Sequence, residues 1–292
     1  MSEEGPIKNY ELRIVRGLPF PAIKWFDRKK IEDVLDYMPK DGDMIIASYP
    51  KTGTTWLQYI VLQILSEGDL FPSFDDVTHR VVPFMEMTGI AAVEALKSPR
   101  VYKHHVPYNM VQKNPKSKCL YIYRNPEDTV VSFFHFMQII QEEEMNFNEF
   151  FEQFLTGNVA YGRYFEHILS FLAHKDDENL LLISYEKLQK NRREEILRIA
   201  KFLGENYFQR LLEDESVIRK VIEHTSFDYM KTNLTQPQEK GKGGGLKTAA
   251  FFRKGIVGDG KSMLSAEQQK RLREVAEKVM DGTEVIKEWM EE

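Results

Sequence analysis

One cysteine, Cys119, in a chain of 292 residues excludes an internal disulfide framework. No stretch approaches the roughly 20 consecutive apolar residues of a membrane-crossing helix. The opening residues, Met1-Ser2-Glu3-Glu4-Gly5, are acidic and lack the basic and apolar regions of a secretory signal. The expected compartment is therefore reducing and aqueous, which points to the cytosol. A surplus of positive charge is missing too. With a formal net charge of −5, nothing draws the whole chain to nucleic acid or to an anionic membrane, so an anion site must be a local cluster of cations. A small ligand is expected, with no nucleic acid and no membrane as partner.

What is present suits an α/β protein. The 42% hydrophobic content is enough for a sizeable core, read here as one domain over residues 1–292. Four short apolar runs, 43–47, 101–102, 119–123 and 180–183, alternate with helical patterns, which predicts a central parallel sheet flanked by helices. Helices are expected over 57–65, from Asn125-Pro126-Glu127-Asp128 onward, and over 147–155, 161–173, 192–203 and 267–280. The glycine-rich run at 238–247 cannot build a core and reads as a mobile segment, either a lid or a plain loop. Polar residues follow each apolar run: Lys51 the first, His105 the second, Arg124 the third, Ser184-Tyr185 the fourth. All belong at strand carboxyl ends, the edge where open α/β sheets bind ligands.

The first of these junctions is the most informative. Ser48-Tyr49-Pro50-Lys51-Thr52-Gly53-Thr54-Thr55-Trp56 joins a strand pattern to a helix pattern, so free N–H groups at a helix start, a glycine, a lysine and hydroxyls gather in an oxyanion site resembling a phosphate loop. It is not the nucleoside-triphosphatase form, in which the lysine comes late and a magnesium-binding hydroxyl follows. Arg124 also stands where such an enzyme usually places an aspartate near the metal. Its planar fork suits a terminal phosphate on a nucleotide that carries an extra one. The plain alternative is a strand-to-helix turn in which Gly53 and the threonines only cap the helix.

At these residues the chain resembles the cytosolic sulfotransferases, which use 3′-phosphoadenosine 5′-phosphosulfate (PAPS) as donor and release adenosine 3′,5′-bisphosphate (PAP). The resemblance spans nearly the whole length. It is carried by Tyr49-Pro50-Lys51-Thr52-Gly53-Thr54-Thr55-Trp56, Lys103-His104-His105-Val106-Pro107, Tyr123-Arg124-Asn125-Pro126-Glu127-Asp128 through Val131-Ser132, and Arg253-Lys254-Gly255 ahead of Gly258-Asp259. It implies that Lys51, Thr52, Gly53, Thr54 and Thr55 hold the 5′ end of the donor, with Trp56 beside adenine. Arg124, Ser132, Arg253, Lys254 and Gly255 would grip the 3′-phosphate, while Tyr185, Thr225, Ser226, Phe227, Phe251 and Phe252 would complete the adenosine site. Taken singly, Tyr185 and the phenylalanines could equally be core residues, and Arg253 and Lys254 solvated surface charges.

The expected reaction is sulfuryl transfer to the hydroxyl or amine of a small acceptor, a phenol or phenolic amine first and a steroid next. His105 is the expected general base, because imidazole titrates near neutrality. Lys51 would meet the leaving phosphate, and Ser132 would modulate that lysine. Phe20, Phe84, Lys103 and Phe136 are expected around the acceptor, with Met87, Phe133 and Phe134 nearby. In an extended segment His104 and His105 point to opposite sides, so only one can line a pocket, and no metal is expected.

Two departures from the family pattern concern assembly and the lid. The usual dimer segment has an acid where this chain has Lys270, after Lys261 and Ser265-Ala266, which argues against that homodimer. Gly260 replaces a frequent tryptophan, which predicts a looser lid. The competing readings are a magnesium-dependent small-molecule kinase, a glycan sulfotransferase of the secretory pathway, and a catalytically silent protein that binds PAPS or PAP.

Overall fold

The computed structural model describes residues 11–141, 144–234 and 252–291. Strands β1 (Leu12–Val15) and β2 (Leu18–Pro21) form an antiparallel hairpin. Strands β3 (Met44–Ser48), β4 (Val101–His104), β5 (Lys118–Tyr123) and β6 (Leu180–Ser184) form a wholly parallel sheet in the order β4-β3-β5-β6. Residues alternate strictly between its faces. Ile45, Ala47, Tyr102, Tyr121 and Tyr123 enter one core, and Met44, Ile46, Val101, Leu120 and Ile122 enter the other. A parallel sheet buried on both faces needs helices on both. One layer includes the helices Arg28–Asp36, Pro126–Gln141, Phe147–Thr156, Tyr164–Leu172 and Ala266–Met280. The other includes Thr54–Leu65, Arg192–Leu203, Glu215–His224 and Phe227–Leu234.

This is the expected α/β architecture, and register explains what it brings together. Ala47 is level with both His104 and Tyr121, and Tyr123 is level with Ser184. The residues that follow, the loop after Ser48, then His105, Arg124 and Tyr185, therefore emerge side by side. From β3 the chain moves to one side of the sheet, and from β5 to the other. That reversal opens a crevice above the carboxyl ends of the two central strands.

The expected elements are present, with differences at their ends that have local causes. β4 continues two residues beyond the apolar pair, because Lys103 and His104 are buried strand residues despite their polarity. The helix expected from residue 161 starts at Tyr164, since Tyr161 and Gly162 both have positive φ, at 68° and 72°. The hairpin went unpredicted: Pro19 and Pro21 hide β2, and its turn uses Arg16 and Gly17 at φ 49° and 83°. Residues 142–143 and 235–251, including the glycine-rich run and Phe251, lie outside the described residues. In the altered dimer segment, Ser265 caps the Ala266–Met280 helix in a reciprocal capping box with Gln268.

The far end of the central strands is fastened by a buried ion pair. Arg100 donates from Nε and Nη2 to the two carboxylate oxygens of Asp43 at 2.7 and 2.6 Å, and the Tyr102 hydroxyl donates to Oδ2 at 3.0 Å. Removing one partner strands a buried charge, so Arg100→Ala should cost about 3–5 kcal/mol. A denaturant midpoint measured by circular dichroism checks this; a midpoint equal to that of the unaltered protein would show that the pair does not hold the sheet.

Candidate active site

The loop after β3 is shaped by its own backbone demands. Lys51 has φ 71° and Gly53 φ 111°. A Cβ on Gly53 would lie 2.8 Å from the Tyr185 ring and 3.0 Å from Ile122, so the glycine is needed both for its dihedral and for the close approach. The Thr52 hydroxyl lies 2.9 Å from the carbonyl oxygens of both Tyr49 and Ile122, fastening the loop to β5. Thr54 then opens the helix, its hydroxyl 2.6 Å from that of Ser48. The first residues of this helix line the crevice, and a helix amino terminus favours anions.

Above this loop lies a cavity of about 240 Å³ lined by residues from every strand end. His105 is on its wall and its ring is clamped edge-on between Phe84 and Tyr161, with centroids 5.0 and 5.2 Å away. Its Nδ1 is 2.7 Å from the Ser48 carbonyl oxygen, which can only accept, so the proton is assigned to Nδ1 and Nε2 keeps its lone pair. The backbone of His105 is held as firmly. Its N–H donates to Glu86 Oε1 at 2.7 Å, and its carbonyl accepts from His167 Nε2 at 2.9 Å. That leaves His167 Nδ1 to accept from the Tyr121 hydroxyl, also at 2.9 Å. Burial, and then Lys103, push His105 well below the usual imidazole range, so the ring is neutral at pH 7. His104 turns to the opposite face of β4, where it lines a separate small cavity with Cys119 and Tyr108.

The charged side chains lining the cavity are cationic among the described residues. Burial, reinforced by Arg124, Lys103 and Arg253, lowers Lys51 to about 7, and Lys103 is lowered to about 8 by burial. The ammonium groups of Lys51 and Lys103 sit 4.3 and 4.2 Å from the ring centres of Phe136 and Phe84. Glu86 is raised to about 7 by burial, opposed by the His105 N–H and by Lys103. The Arg124 guanidinium lies over the Tyr185 ring at 4.4 Å, and its Nη2 donates to Asp128 Oδ2 and to the Ile256 carbonyl, each at 3.0 Å. Arg253 and Lys254 both pair with Asp259. Three arginines on the cavity wall, Arg124, Arg192 and Arg253, have a buried Nε without a hydrogen-bond partner among the described residues. Orphaned buried donors are rare in native proteins, and a cluster of three marks a place built for an acceptor.

Asp128 organises the far wall. It accepts from Arg124, from Asn125 Nδ2 at 3.3 Å, and from the N–H groups of Gly258 and Gly260 at 2.9 and 2.6 Å. Gly260 is buried so tightly against the Pro126–Gln141 helix that a Cβ would lie 2.3 Å from the Glu127 carbonyl oxygen. A similar close approach occurs at Gly255, where a Cβ would sit 2.1 Å from the Phe227 ring.

A model of the sulfotransferase domain matches residues 41–284. The chain belongs to the sulfotransferase family. It is 34% identical over 97% of its length to sulfotransferase 1B1 of Mus musculus, covering 96% of that protein. It is 34% identical over 87% of its length to the amine sulfotransferase of Oryctolagus cuniculus, covering 86% of it. Among solved structures, mouse sulfotransferase SULT7A1 complexed with PAP superposes with a TM-score of 0.76 at 27% identity, over 96% of this chain and 99% of that one.

Within this sulfotransferase, Lys51, Gly53, Thr54, Thr55, Trp56, Phe84, Lys103, His105, Arg124, Ser132, Phe136, Tyr185, Thr225, Phe227, Phe252, Arg253, Lys254 and Gly255 all line the one cavity. Four residues expected in or near it sit elsewhere. Thr52 is spent on fastening the loop, and Phe20 is in the core behind Tyr161, with ring centres 5.4 Å apart. Ser226 accepts the Tyr229 N–H at 3.3 Å, close to the start of the next helix. Phe134 packs on Phe147 and Phe150 instead of facing the cavity. Pro21, Ile23, Trp25, Phe26, Tyr161 and Arg192 join the lining without having been expected.

The lowered lysines give a signed prediction. An added phosphate raises the pKa of a neighbouring lysine. Binding of PAP at pH 8 should therefore draw protons from solvent, approaching roughly one per site if Lys51 dominates. Calorimetry in two buffers of different ionisation enthalpy measures this uptake; net proton release would contradict it, and Lys51→Met should reduce it.

Proposed function

We propose that this sulfotransferase moves a sulfuryl group from PAPS to the hydroxyl of a small, uncharged phenol, with His105 as general base and Lys51 beside the leaving phosphate. The observation that carries the reading is the His105–Ser48 contact. It presents a neutral imidazole with an unprotonated Nε2 on the same cavity wall as the loop after β3. When bound, PAPS supplies the sulfuryl group and a phosphate leaving group. The fit rests on features already described: orphaned arginine donors at Arg124 and Arg253, and aromatic rings at Trp56, Tyr185, Phe227 and Phe252. Gly255 adds a cradle that any side chain would fill. Thr54, Thr55 and the helix N–H groups would meet the 5′ end, and Arg124, Ser132, Arg253, Lys254 and Gly255 the 3′-phosphate. Lys51, positioned by its left-handed backbone, would balance charge building on the bridging oxygen.

The acceptor half of the cavity favours a phenol over an amine. Pro21, Ile23, Phe26, Phe84, Phe136, Met137, Ile140 and Tyr161 form an apolar, aromatic slot. Among the described lining residues the charged groups are all cationic, with no aspartate or glutamate to receive an ammonium. Lys103 stands ready to stabilise a developing phenolate, while Nε2 of His105 takes the proton.

Two substitutions separate chemistry from binding. His105→Ala should lower kcat by about 10²–10⁴, while the PAP dissociation constant from calorimetry stays within about twofold. Arg124→Ala removes a charge-assisted contact worth about 1.5–3 kcal/mol, so PAP affinity should fall roughly 10- to 100-fold. The assay uses labelled PAPS, a panel of neutral phenols and phenolic amines, and a chelator throughout. A requirement for added magnesium would favour a kinase, and unchanged turnover in His105→Ala would remove it as the base.

A further inference from the structure

One cation on the cavity wall takes no part in the chemistry above. Arg192 is the first residue of the Arg192–Leu203 helix and faces the cavity with Trp56, Gln189, Thr225 and Phe227. Its guanidinium lies 5.6 Å from the centre of the Trp56 ring. Nη2 donates to Gln189 Oε1 at 2.9 Å, and Gln189 in turn donates from Nε2 to the Gly255 carbonyl at 2.9 Å and to the Tyr185 hydroxyl at 3.3 Å. Arg192 is thus braced against three members of the cavity wall.

Two independent features say that this placement does not serve stability. A cation at a helix amino terminus opposes the helix dipole, where an acid or a neutral cap is preferred. Its neighbour Arg193 is paired with Glu215, whereas Arg192 forms no ion pair with a carboxylate among the described residues. The Nε of Arg192 is buried and without a hydrogen-bond partner among the described residues, a desolvation that none of them relieves. A residue that breaks two local rules while lining a ligand cavity is where function is expected to override local preference.

We propose that Arg192 reads the purine base of the nucleotide: its guanidinium packs the base against the Trp56 side of the cavity and donates to a ring nitrogen, without contacting either phosphate. The assignment rests on the donor reading given above and adds a residue to it. The base end is indicated by what surrounds Arg192: the Trp56 indole, the Phe227 ring, Met230 and the Gln189 carboxamide. Purine ring nitrogens accept hydrogen bonds, and a planar guanidinium can stack and donate at once, which an ammonium cannot.

The test is calorimetric, with PAP, guanosine 3′,5′-bisphosphate and adenosine 5′-phosphate as probes, on the unaltered enzyme and on Arg192→Ala, Arg192→Gln and Arg192→Lys. Thermal melts confirm that each variant folds. Arg192→Ala and Arg192→Gln should each weaken PAP binding about tenfold or more and shrink the preference for adenine over guanine. Arg192→Lys should restore only a small part of the loss. Deleting the 3′-phosphate from the ligand should cost the enzyme and Arg192→Ala the same factor, because independent contacts add. In turnover, KM for PAPS should rise while kcat at saturating PAPS holds. Equal PAP affinity in the enzyme and Arg192→Ala would overturn the proposal. So would full rescue by lysine, or loss of the Arg192→Ala effect with adenosine 5′-phosphate, either of which assigns Arg192 to a phosphate. An unaltered enzyme that binds no PAP would refute the donor reading itself, a result distinct from these.

Discussion

Parallel pairing on both sides of β3 is the constraint on which the site depends. Because Ala47 is level with His104 and with Tyr121, the chain delivers the phosphate loop, His105 and Arg124 to one edge at one height. A slip of one residue between β3 and β4 would reverse every side chain of the slipped strand. His104 would then replace His105 on the cavity wall. The strict division of apolar residues between two cores makes such a slip costly on both faces at once, and the Asp43–Arg100 clamp fixes the opposite ends of the same strands. Packing of the sheet thus sets the position of the His105 ring.

Around that ring several groups sit where burial disfavours their charge. Lys51 and Lys103 are held in surroundings that disfavour their charge, Glu86 in surroundings that disfavour its ionisation, and His105 is kept neutral. Each shift is led by burial, with neighbouring charges secondary. Perturbed groups gathered in one cleft are the usual mark of a working site, since a dry cavity strengthens every interaction with charge that arrives later. The anchoring groups around them are, by contrast, well satisfied. His167 and Tyr121 form a continuous hydrogen-bonded chain to the His105 carbonyl, and Asp128 collects donors from two separate segments.

Much of this was legible in the chain, for physical reasons that also explain the gaps. Strands buried on both faces read as apolar runs, so the four strands of the sheet were visible, and β4 was cut short only because Lys103 and His104 are polar residues inside it. The phosphate loop showed itself through the local sequence of lysine, glycine and threonines. Glu86 and Arg192 did not, since each acquires its meaning from a partner distant in sequence: Glu86 from the His105 N–H, Arg192 from Trp56. Phe20 and Phe134 show the opposite error. An aromatic residue near a binding region in sequence can sit one layer behind it, and only packing decides which ring faces the ligand. The hairpin was hidden by its prolines, yet Pro21 on its second strand reaches the cavity.

The shared anion at Asp259 has a thermodynamic consequence. Arg253 and Lys254 are already neutralised by one carboxylate, which is itself nearly buried. A phosphate bound there, as proposed, would draw these two cations from an internal counter-ion and not from water. The cleft behaves like an ion exchanger whose resting anion is part of the polymer. Such an exchange would set a carboxylate with two oxygens against a phosphate with three, and a displaced Asp259 would need new hydrogen bonds.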